Sequence, residues 1–186
     1  MQMETERLVV RNFRPEDWED LYEYLSREEV LKYEPSSASS REECRKLAAE
    51  RARGNSFWAV CLKVTGKMIG HVYFGRMEPF EFKTWELGYI FNPLYCGMGY
   101  ATEASRRIVA YGFEQLKAHR ITALCDPENS ASWKLLERLG MRREGHFIKP
   151  AFFRKDSKDQ PIWHNVYQYA ILAEEWENIR LPHKSV

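Results

Sequence analysis

The spacing of apolar residues divides the chain into alternating strands and helices. Residues 8–13 are rich in apolar and β-branched side chains, which predicts a first strand. A helix is expected to begin at Pro15, because proline suits the first helical position and Trp18 and Leu21 follow at helical spacing. A second helix is predicted over residues 41–53, with Ser39 or Ser40 as its N-cap.

Three strands then follow in close succession, and the second half of the chain alternates again. The strands are predicted over residues 57–64, 68–75 and 85–91, and their short connections favour an antiparallel meander. After it we predict a helix, a strand, a helix, two strands and a final helix, over residues 100–117, 121–125, 130–139, 141–148, 163–172 and 173–179. This order predicts an α/β fold with a mixed, mostly antiparallel central sheet flanked by helices.

Length, composition and charge narrow the class of protein. A chain of 186 residues with 44% hydrophobic residues fits one globular domain, here residues 1–186. The net charge is +1 and no Lys/Arg run reaches five residues, so we expect no nucleic-acid partner. There is no apolar stretch of about 18 residues and no signal-peptide pattern, so neither a membrane span nor export is expected. The four cysteines show no CxxC spacing, and we expect a reduced cytoplasmic protein without a metal site.

A glycine-containing loop connects the third meander strand to the long helix. Gly97 and Gly99 would let the backbone approach a ligand closely, and the helix N-terminus behind them favours an anion. The pattern is not a Walker loop, and a dinucleotide fingerprint would need glycine at Thr102. From these residues alone, a phosphate site and a plain strand-to-helix turn remain equally good interpretations.

A second informative stretch follows the strand at 121–125. Asn129 lies at the start of the next helix, where its side chain can bind a backbone amide or a ligand amide. Ser132 lies one turn inside that helix. Taken alone, these residues fit a simple N-cap and a solvent-facing helix position better than a ligand site.

Together the two stretches resemble the signature regions of the GNAT N-acetyltransferases. The closest likeness is to the branch similar to the ribosomal-protein Nα-acetyltransferases RimJ and RimL. The first region reads Gln/Arg-x-x-Gly-x-Gly/Ala in the superfamily and falls on residues 96–101 here, followed by the branch-like Thr102-Glu103-Ala104. The second resembles Pro-x-Asn-x-x-Ser-x-x-Leu-x-x-x-x-Gly-Phe, matched by Pro127, Asn129, Ser132, Leu135 and Gly140, with Met141 for Phe. The chain start at residues 4–8 and the end at 166–176 also resemble this branch, so the likeness covers nearly the whole chain.

The resemblance implies the GNAT fold and acetyl-CoA as co-substrate. Backbone amides of residues 97–102 would cradle the pyrophosphate, and the free end of the strand at 89–91 would pair with the pantetheine arm. One strand amide would polarise the thioester carbonyl, and Asn129 would bind the pantetheine. Lys134 would approach the adenosine phosphate. The implied cofactor-binding residues are Tyr89, Ile90, Phe91, Cys96, Gly97, Met98, Gly99, Tyr100, Ala101, Thr102, Asn129 and Lys134.

The sequence departs from the family pattern in the loop. Cys96 replaces the usual Gln or Arg, and Met98 replaces a residue that is often basic. We therefore expect weaker CoA binding, because the polar side chains are lost while the backbone grip remains. Cys96 is expected to be a partly buried, inert thiol in preference to an oxidation-prone one.

The resemblance also implies catalytic roles. The position of the tyrosine acid of many GNAT enzymes is Leu136 here, so Ser132 is the predicted proton donor to the leaving thiolate. Glu86, on the strand that meets the thioester, is the predicted base, with His71 and His164 as alternatives. The branch often carries Asp at the position of Asn165, and an amide there cannot act as a base.

The sequence therefore predicts an N-acetyltransferase that moves an acetyl group from acetyl-CoA to a primary amine by direct attack in a ternary complex. The acceptor would be a protein N-terminus or a small-molecule amine. Alternatives are a non-catalytic acyl-CoA sensor of the same fold, an antibiotic or polyamine acetyltransferase, and an unrelated phosphate-binding domain. An acidic pocket would favour polycations, and its candidate residues are Glu28, Glu29, Glu34, Glu78 and Glu81. A homodimer is suggested only by analogy with the branch.

Overall fold

The computed structural model describes residues 1–180, which form helices and strands in the predicted alternation. The helices are α1 (Trp18–Leu25), α2 (Arg41–Arg53), α3 (Tyr100–Glu114), α4 (Ser130–Arg138) and α5 (Ala173–Arg180). The strands are β1 (Gln2–Glu4), β2 (Leu8–Asn12), β3 (Phe57–Leu62), β4 (Met68–Arg76), β5 (Thr84–Phe91), β6 (Arg120–Cys125), β7 (Arg142–Lys155) and β8 (Pro161–Leu172). The predicted domain also includes residues 181–186, which lie outside the described residues.

One eight-stranded sheet runs through the described residues. Its strand order is β1-β2-β3-β4-β5-β6-β8-β7. Every neighbouring pair is antiparallel except β5 and β6, which are parallel. The predicted meander of β3, β4 and β5 and the mixed, mostly antiparallel sheet are thereby confirmed.

The parallel pair is short, and the sheet opens beyond it. Only Thr84, Trp85 and Glu86 of β5 pair with β6, at Arg120, Ile121 and Thr122. Past this point β5 continues along β4 as far as Phe91, whereas β6 continues along β8 as far as Cys125. The two strands therefore separate and leave a gap between residues 87–91 and 123–125.

Alternating side chains of the sheet supply two hydrophobic cores, one on each face. On one face Trp58, Val60, Val72 and Leu87 pack with the buried side of α3, including Ile108. On the other face Ala59, Cys61 and Met68 pack with Leu21 and Tyr24 of α1 and with Cys44 of α2. The gap between β5 and β6 is thus covered by α3 and α4 on one face and faces the α1–α2 layer on the other.

The helix α2 shows how local sequence fixes one wall of this layer. Ser40 is its N-cap: the Ser40 Oγ accepts a hydrogen bond from the Glu43 amide, and the Glu43 carboxylate accepts from the Ser40 amide at 2.7 Å. This capping box satisfies backbone donors that the helix leaves free. Gly54 ends the helix, and the predicted range of residues 41–53 is confirmed.

The structure adds one strand and lengthens another, and several other predicted ends move by one to three residues; for example, α3 ends at Glu114 and β3 at Leu62. The strand β1 was not expected, because three residues are too few to show a period; it forms by pairing with β2. The strand predicted over residues 141–148 extends to Lys155, since β-bulges at residues 143–145 and 147–151 let it bend and stay paired with β8. No helix within residues 1–180 is long and apolar enough to cross a membrane.

Candidate functional site

The loop before α3 has the backbone conformation that the two glycines favour. Gly97 has φ 78° and Gly99 has φ 80°, in the left-handed region where a side chain is strained. Gly99 is the N-cap of α3, and no side chain caps the helix. The first amides of α3 therefore remain available to an anion, with the helix dipole behind them.

Arg7 fixes this loop from the N-terminal strands. Its Nη1 donates to the Met98 carbonyl oxygen at 3.0 Å, and its Nε donates to Glu103 at 2.7 Å. The guanidinium also lies 4.4 Å from the centre of the Tyr100 ring. The sequence predicts a family-like motif at residues 4–8 without assigning it a role. In the structure Arg7 of this motif anchors the loop before α3.

A pair of arginines lies where the loop enters α3. A small cavity there is lined by Gly99, Thr102, Arg106 and Arg138, together with Glu6 and Glu103. The charge of Glu103 is balanced by Arg7 at 2.7 Å. Burial acts to raise the pKa of this carboxyl, but hydrogen bonds from the Thr5 hydroxyl and from Arg7 outweigh it and lower the pKa. The two arginines therefore face the cavity as cations suited to phosphate oxygens. Sequence reasoning missed both; Lys134 is exposed and lies outside this lining.

The gap between β5 and β6 opens into a cavity of about 560 Å³. Its floor is formed by residues 86–90 of β5 and 123–125 of β6, and Asn129 and Ser132 of α4 reach it from one face. On the other face it is lined by side chains of the α1–α2 layer and of β3 and β4: Tyr33, Glu34, Arg51, Phe57, His71 and Tyr73. Of the five acidic residues considered from the sequence, Glu34 alone lines it.

Ser132 and Tyr89 form a hydrogen-bonded pair in this cavity. Their hydroxyl oxygens are 3.0 Å apart, and the Tyr89 hydroxyl also lies 3.1 Å from the Ser132 carbonyl oxygen. Burial raises the pKa of the Tyr89 phenol far above its usual value of 10, so the phenol stays protonated. Tyr89 was expected to act through its backbone alone, and its hydroxyl adds a second proton donor beside Ser132.

Asn129 has the N-cap geometry that its position suggested. Its Oδ1 accepts a hydrogen bond from the Ser132 amide at 3.1 Å and so fixes the first turn of α4. The cap uses only the amide oxygen, which leaves the amide nitrogen for a ligand carbonyl. The cap and the predicted contact with pantetheine are therefore compatible.

Glu86 is the last residue of β5 that pairs with β6, and the gap begins beyond it. It is half-buried, and burial raises the pKa of its carboxyl above the usual 4.5. A carboxylate with a raised pKa holds a proton better at neutral pH, which improves it as a base.

The two histidines weighed as alternative bases have different surroundings. His71 is buried, and its Nδ1 lies 2.7 Å from the Tyr24 hydroxyl oxygen. Burial, and secondly the nearby Arg51 charge, lower its pKa well below 6.5, so its ring is neutral. His164 is 3.1 Å from Asp126 and stacks on Phe153. Both histidines line the cavity. The side chain of the neighbouring Asn165 accepts a backbone hydrogen bond from Lys149 at 3.0 Å, which is a structural role.

The two departures from the family pattern lie on the surface of the loop. Cys96 is exposed and not partly buried as expected, although its Sγ lies 3.9 Å from the Asn92 carbonyl oxygen. The pKa of its thiol is raised by the burial that remains, which keeps it in the less reactive protonated form. Met98 is exposed as well.

Comparison with known proteins identifies the family. Residues 7–142 match the acetyltransferase (GNAT) domain family. An uncharacterized N-acetyltransferase of Bacillus subtilis (strain 168), YnaD, is 38% identical over 177 residues, which cover 95% of this chain and 99% of the relative. The crystal structure of a GNAT-family acetyltransferase from Bacillus anthracis superposes with a TM-score of 0.85 at 37% identity, covering 94% of this chain and 99% of that one. The chain belongs to the GNAT acetyltransferase family, and it is an acetyl-CoA-dependent N-acetyltransferase.

A more distant structure shares the fold and contains the coenzyme. Spermidine N-acetyltransferase from Vibrio cholerae, in complex with CoA and spermine, superposes with a TM-score of 0.78 at 21% identity. The superposition covers 94% of this chain and all of the other. At this identity the likeness concerns the fold alone.

Proposed function

We propose that the protein acetylates a primary amine by direct attack within a ternary complex, as a member of the RimJ/RimL-like branch. The observation that carries this proposal is that one cavity, in the gap between β5 and β6, brings the proposed catalytic side chains together. It has the Ser132–Tyr89 pair on one face and Glu86 at the point where the strands separate. The donor for the leaving group and the base for the amine thus reach one space from two sides.

Acetyl-CoA would be held by groups that suit each of its parts. The loop amides of residues 97–102 and the free N-terminus of α3 fit the pyrophosphate, with Arg106 and Arg138 beside them. The unpaired edge of β5 at residues 87–91 fits the pantetheine amides, much as an added strand would. The Asn129 amide nitrogen fits a pantetheine carbonyl. These groups would bind acetyl-CoA through polar contacts that the side chains of Cys96 and Met98 do not provide.

The residues then divide the chemistry of acetyl transfer. The Glu86 carboxylate takes the proton that the amine loses, and the neutral nitrogen attacks the thioester carbonyl carbon. A backbone amide on the free edge of β5 donates to the carbonyl oxygen as negative charge develops there. The nitrogen is positively charged after the attack and releases its second proton to solvent. When the carbon–sulfur bond breaks, the Ser132 hydroxyl donates a proton to the thiolate and regains one from solvent, while the Tyr89 hydroxyl, 3.0 Å away, holds the Ser132 hydroxyl in position.

The branch assignment rests on sequence features that the structure gives a physical role. Asn129 caps α4 through the Ser132 amide, and this makes the spacing of Asn and Ser in the second motif a structural requirement. The Arg7 of the N-terminal motif fastens the coenzyme loop. A sensor without catalysis would have no need of a donor pair facing a base across the same cavity.

Two measurements test this proposal. Acetyl-CoA at ~100 times its dissociation constant adds ~2.7 kcal/mol to the unfolding free energy, which raises the midpoint by roughly 5–10 °C. We expect this shift with acetyl-CoA and not with ATP. Thiol release in the presence of an amine panel then measures turnover, which a non-catalytic sensor would not show.

The catalytic roles are tested with Ser132→Ala and Tyr89→Phe. We expect Ser132→Ala to lower kcat about 10- to 100-fold, since a positioned proton donor contributes at least that much. Tyr89→Phe should lower kcat less, and the dissociation constant of acetyl-CoA should change little in either variant. The matched control is Ser130→Ala, an exposed serine of the same helix. Full turnover in the Ser132→Ala variant across the pH range would contradict the assignment.

A further inference from the structure

Arg51 is a cationic side chain in the cavity that acetyl transfer leaves unused. It lies in the last turn of α2, and its guanidinium carbon is 4.2 Å from the centre of the Phe57 ring and 5.4 Å from that of Phe13. It lines the cavity on the α1–α2 face, together with Phe57 and His71. The charge is therefore held against aromatic rings at the wall opposite the face from which Ser132 reaches in.

This guanidinium lacks an acidic partner among residues 1–180. Its Nη1 is buried and forms no hydrogen bond there, and no carboxylate among these residues lies within ion-pair distance of the guanidinium. Burial accordingly lowers its pKa. Arg11 shows the contrast, because its buried guanidinium donates to both oxygens of Asp17 at 2.8 Å and 2.7 Å. Arg51 as a whole is only partly buried, but leaving its buried Nη1 without a partner costs stability in the free protein, and an anion bound beside it would offset that cost.

The chemistry of Arg51 selects a carboxylate. A guanidinium presents paired N–H donors in a planar fork that matches the two oxygens of a carboxylate, and its faces stack on aromatic rings. Phe13 and Phe57 hold one such face. His71, kept neutral by burial, adds no competing positive charge at this wall.

We propose that the acceptor is a small amine that also carries a carboxylate, bound through Arg51 with its amino group directed toward Glu86. This inference rests on the proposed function and names its substrate class. One ligand of this class pairs with Arg51 and Glu86 together: its carboxylate meets Arg51 and its ammonium group meets Glu86. A polyamine would pair with Glu86 and Glu34, which also lines the cavity, but it would leave Arg51 without an anion and bring further positive charge beside it.

The test compares matched acceptors in the presence of acetyl-CoA. Each L-amino acid of a panel is measured against its own amide, and spermidine represents the polyamines. In the wild type we expect the amino acids to have the higher kcat/KM. In Arg51→Gln the ratio of acid to amide should fall about 10- to 100-fold, the range expected for losing a charged hydrogen-bonded pair. The loss should appear in KM, and Arg51→Lys should restore part of it. Because each ratio is compared between variants, differences in amine basicity cancel.

Controls separate this result from misfolding. Arg53→Gln removes an exposed arginine from the same helix and should leave the ratio unchanged. Arg51→Gln should keep the acetyl-CoA thermal shift, and its midpoint should not fall, since it removes an unpaired buried charge. Faster turnover of amides or spermidine, or an unchanged ratio in Arg51→Gln, would overturn the inference while leaving acetyl transfer intact.

Failure of the proposed function gives a different pattern. If no amine of the panel releases thiol from acetyl-CoA, the proposed acetyl transfer is wrong. The proposed role of Arg51 is then tested by amino acid binding alone. The amino acids, added with CoA, should raise the unfolding midpoint of the wild type and not that of Arg51→Gln. Equal shifts in the two proteins, or none in either, would again overturn the carboxylate site.

Discussion

At the residue scale, Glu34 is a cavity carboxyl governed by burial alone. Burial raises its pKa from 4.5 to about 7. Glu103 and Glu144 behave oppositely, since hydrogen bonds from Thr5 and Arg7 lower the pKa of Glu103 and a hydrogen bond from Arg120 lowers that of Glu144. Because the folded pKa of Glu34 is the higher one, its protonated form is the one that stabilises the fold. That contribution is complete below about pH 4.5 and is lost as the pH rises through about 7.

We therefore predict that Glu34→Gln stabilises the protein at alkaline pH. At pH 5 wild type and variant should unfold at nearly the same temperature, because Glu34 is then neutral in the folded state. At pH 8 the variant should be more stable by about 1–3 kcal/mol, or roughly 3–10 °C in the midpoint. Thermal scans from pH 4 to 9 measure this difference. Glu28→Gln, at an exposed position, is the control, and a difference that does not grow with pH would refute the buried carboxyl.

The residue scale also shows which parts of the site the sequence could predict. Gly97, Gly99, Asn129 and Ser132 stand out because a local backbone requirement fixes their spacing. The Tyr89 hydroxyl and Arg51 do not, because their roles depend on tertiary contacts. Tyr89 meets Ser132 across 43 positions of sequence, and Arg51 reaches the cavity only because α2 packs beside β3 and β4. The spacing of apolar and polar residues along the chain does not indicate such contacts.

At the scale of elements, the sequence predicted what local chemistry determines. The sequence predicts that α2 starts at residue 41 with Ser39 or Ser40 as its cap, and the structure has it start at Arg41 with Ser40 as the cap. The edges of the sheet were less predictable. The strand β1 exists only through its partner β2, and β7 continues past its predicted end through bulges that depend on β8. Pairing across the sheet, which lies outside any sequence window, decides such ends.

The coenzyme loop is a second element whose shape depends on a distant partner. Because Arg7 holds both the Met98 carbonyl and Glu103, we predict that Arg7→Ala raises the dissociation constant of acetyl-CoA about tenfold, as expected for losing ~1.4 kcal/mol of charged hydrogen bonding. The unfolding midpoint should change by only a degree or two, since the ion pair is partly exposed. Titration calorimetry measures the affinity.

The control for Arg7 is a neighbouring ion pair without contact to the loop. Lys63 pairs with Glu4 at 3.0 Å near the same edge of the sheet. Lys63→Ala should leave acetyl-CoA affinity unchanged. Equal affinities for the wild type and Arg7→Ala would mean that the loop keeps its shape without this anchor, and the N-terminal motif would need another explanation.

At the scale of the whole molecule, the short pairing of β5 with β6 divides the sheet into two blocks. Strands β1 to β5 form one and β6 to β8 the other, joined within residues 1–180 by three paired positions and by the helices packed across them. Where the strands separate, the backbone of residues 87–91 of β5 has no hydrogen-bonding partner on the side toward β6 within the described part of the chain. If acetyl-CoA pairs with this edge as we propose, we expect it to stabilise the molecule at this junction more than elsewhere.

Hydrogen exchange of the backbone amides tests this division. With acetyl-CoA at ~100 times its dissociation constant, exchange at residues 87–91 should slow by up to ~100-fold, because these amides exchange only after the coenzyme leaves. Residues 57–62 of β3 provide the internal comparison, since that strand is already paired on both sides. Protection confined to the α1–α2 layer would mean that the coenzyme binds on that face of the sheet and not along β5, which would contradict the proposed binding site. Protection that is uniform along the chain would mean that acetyl-CoA stabilises the two blocks of the sheet equally. The gap between β5 and β6 would then not be the part of the fold that binding stabilises most.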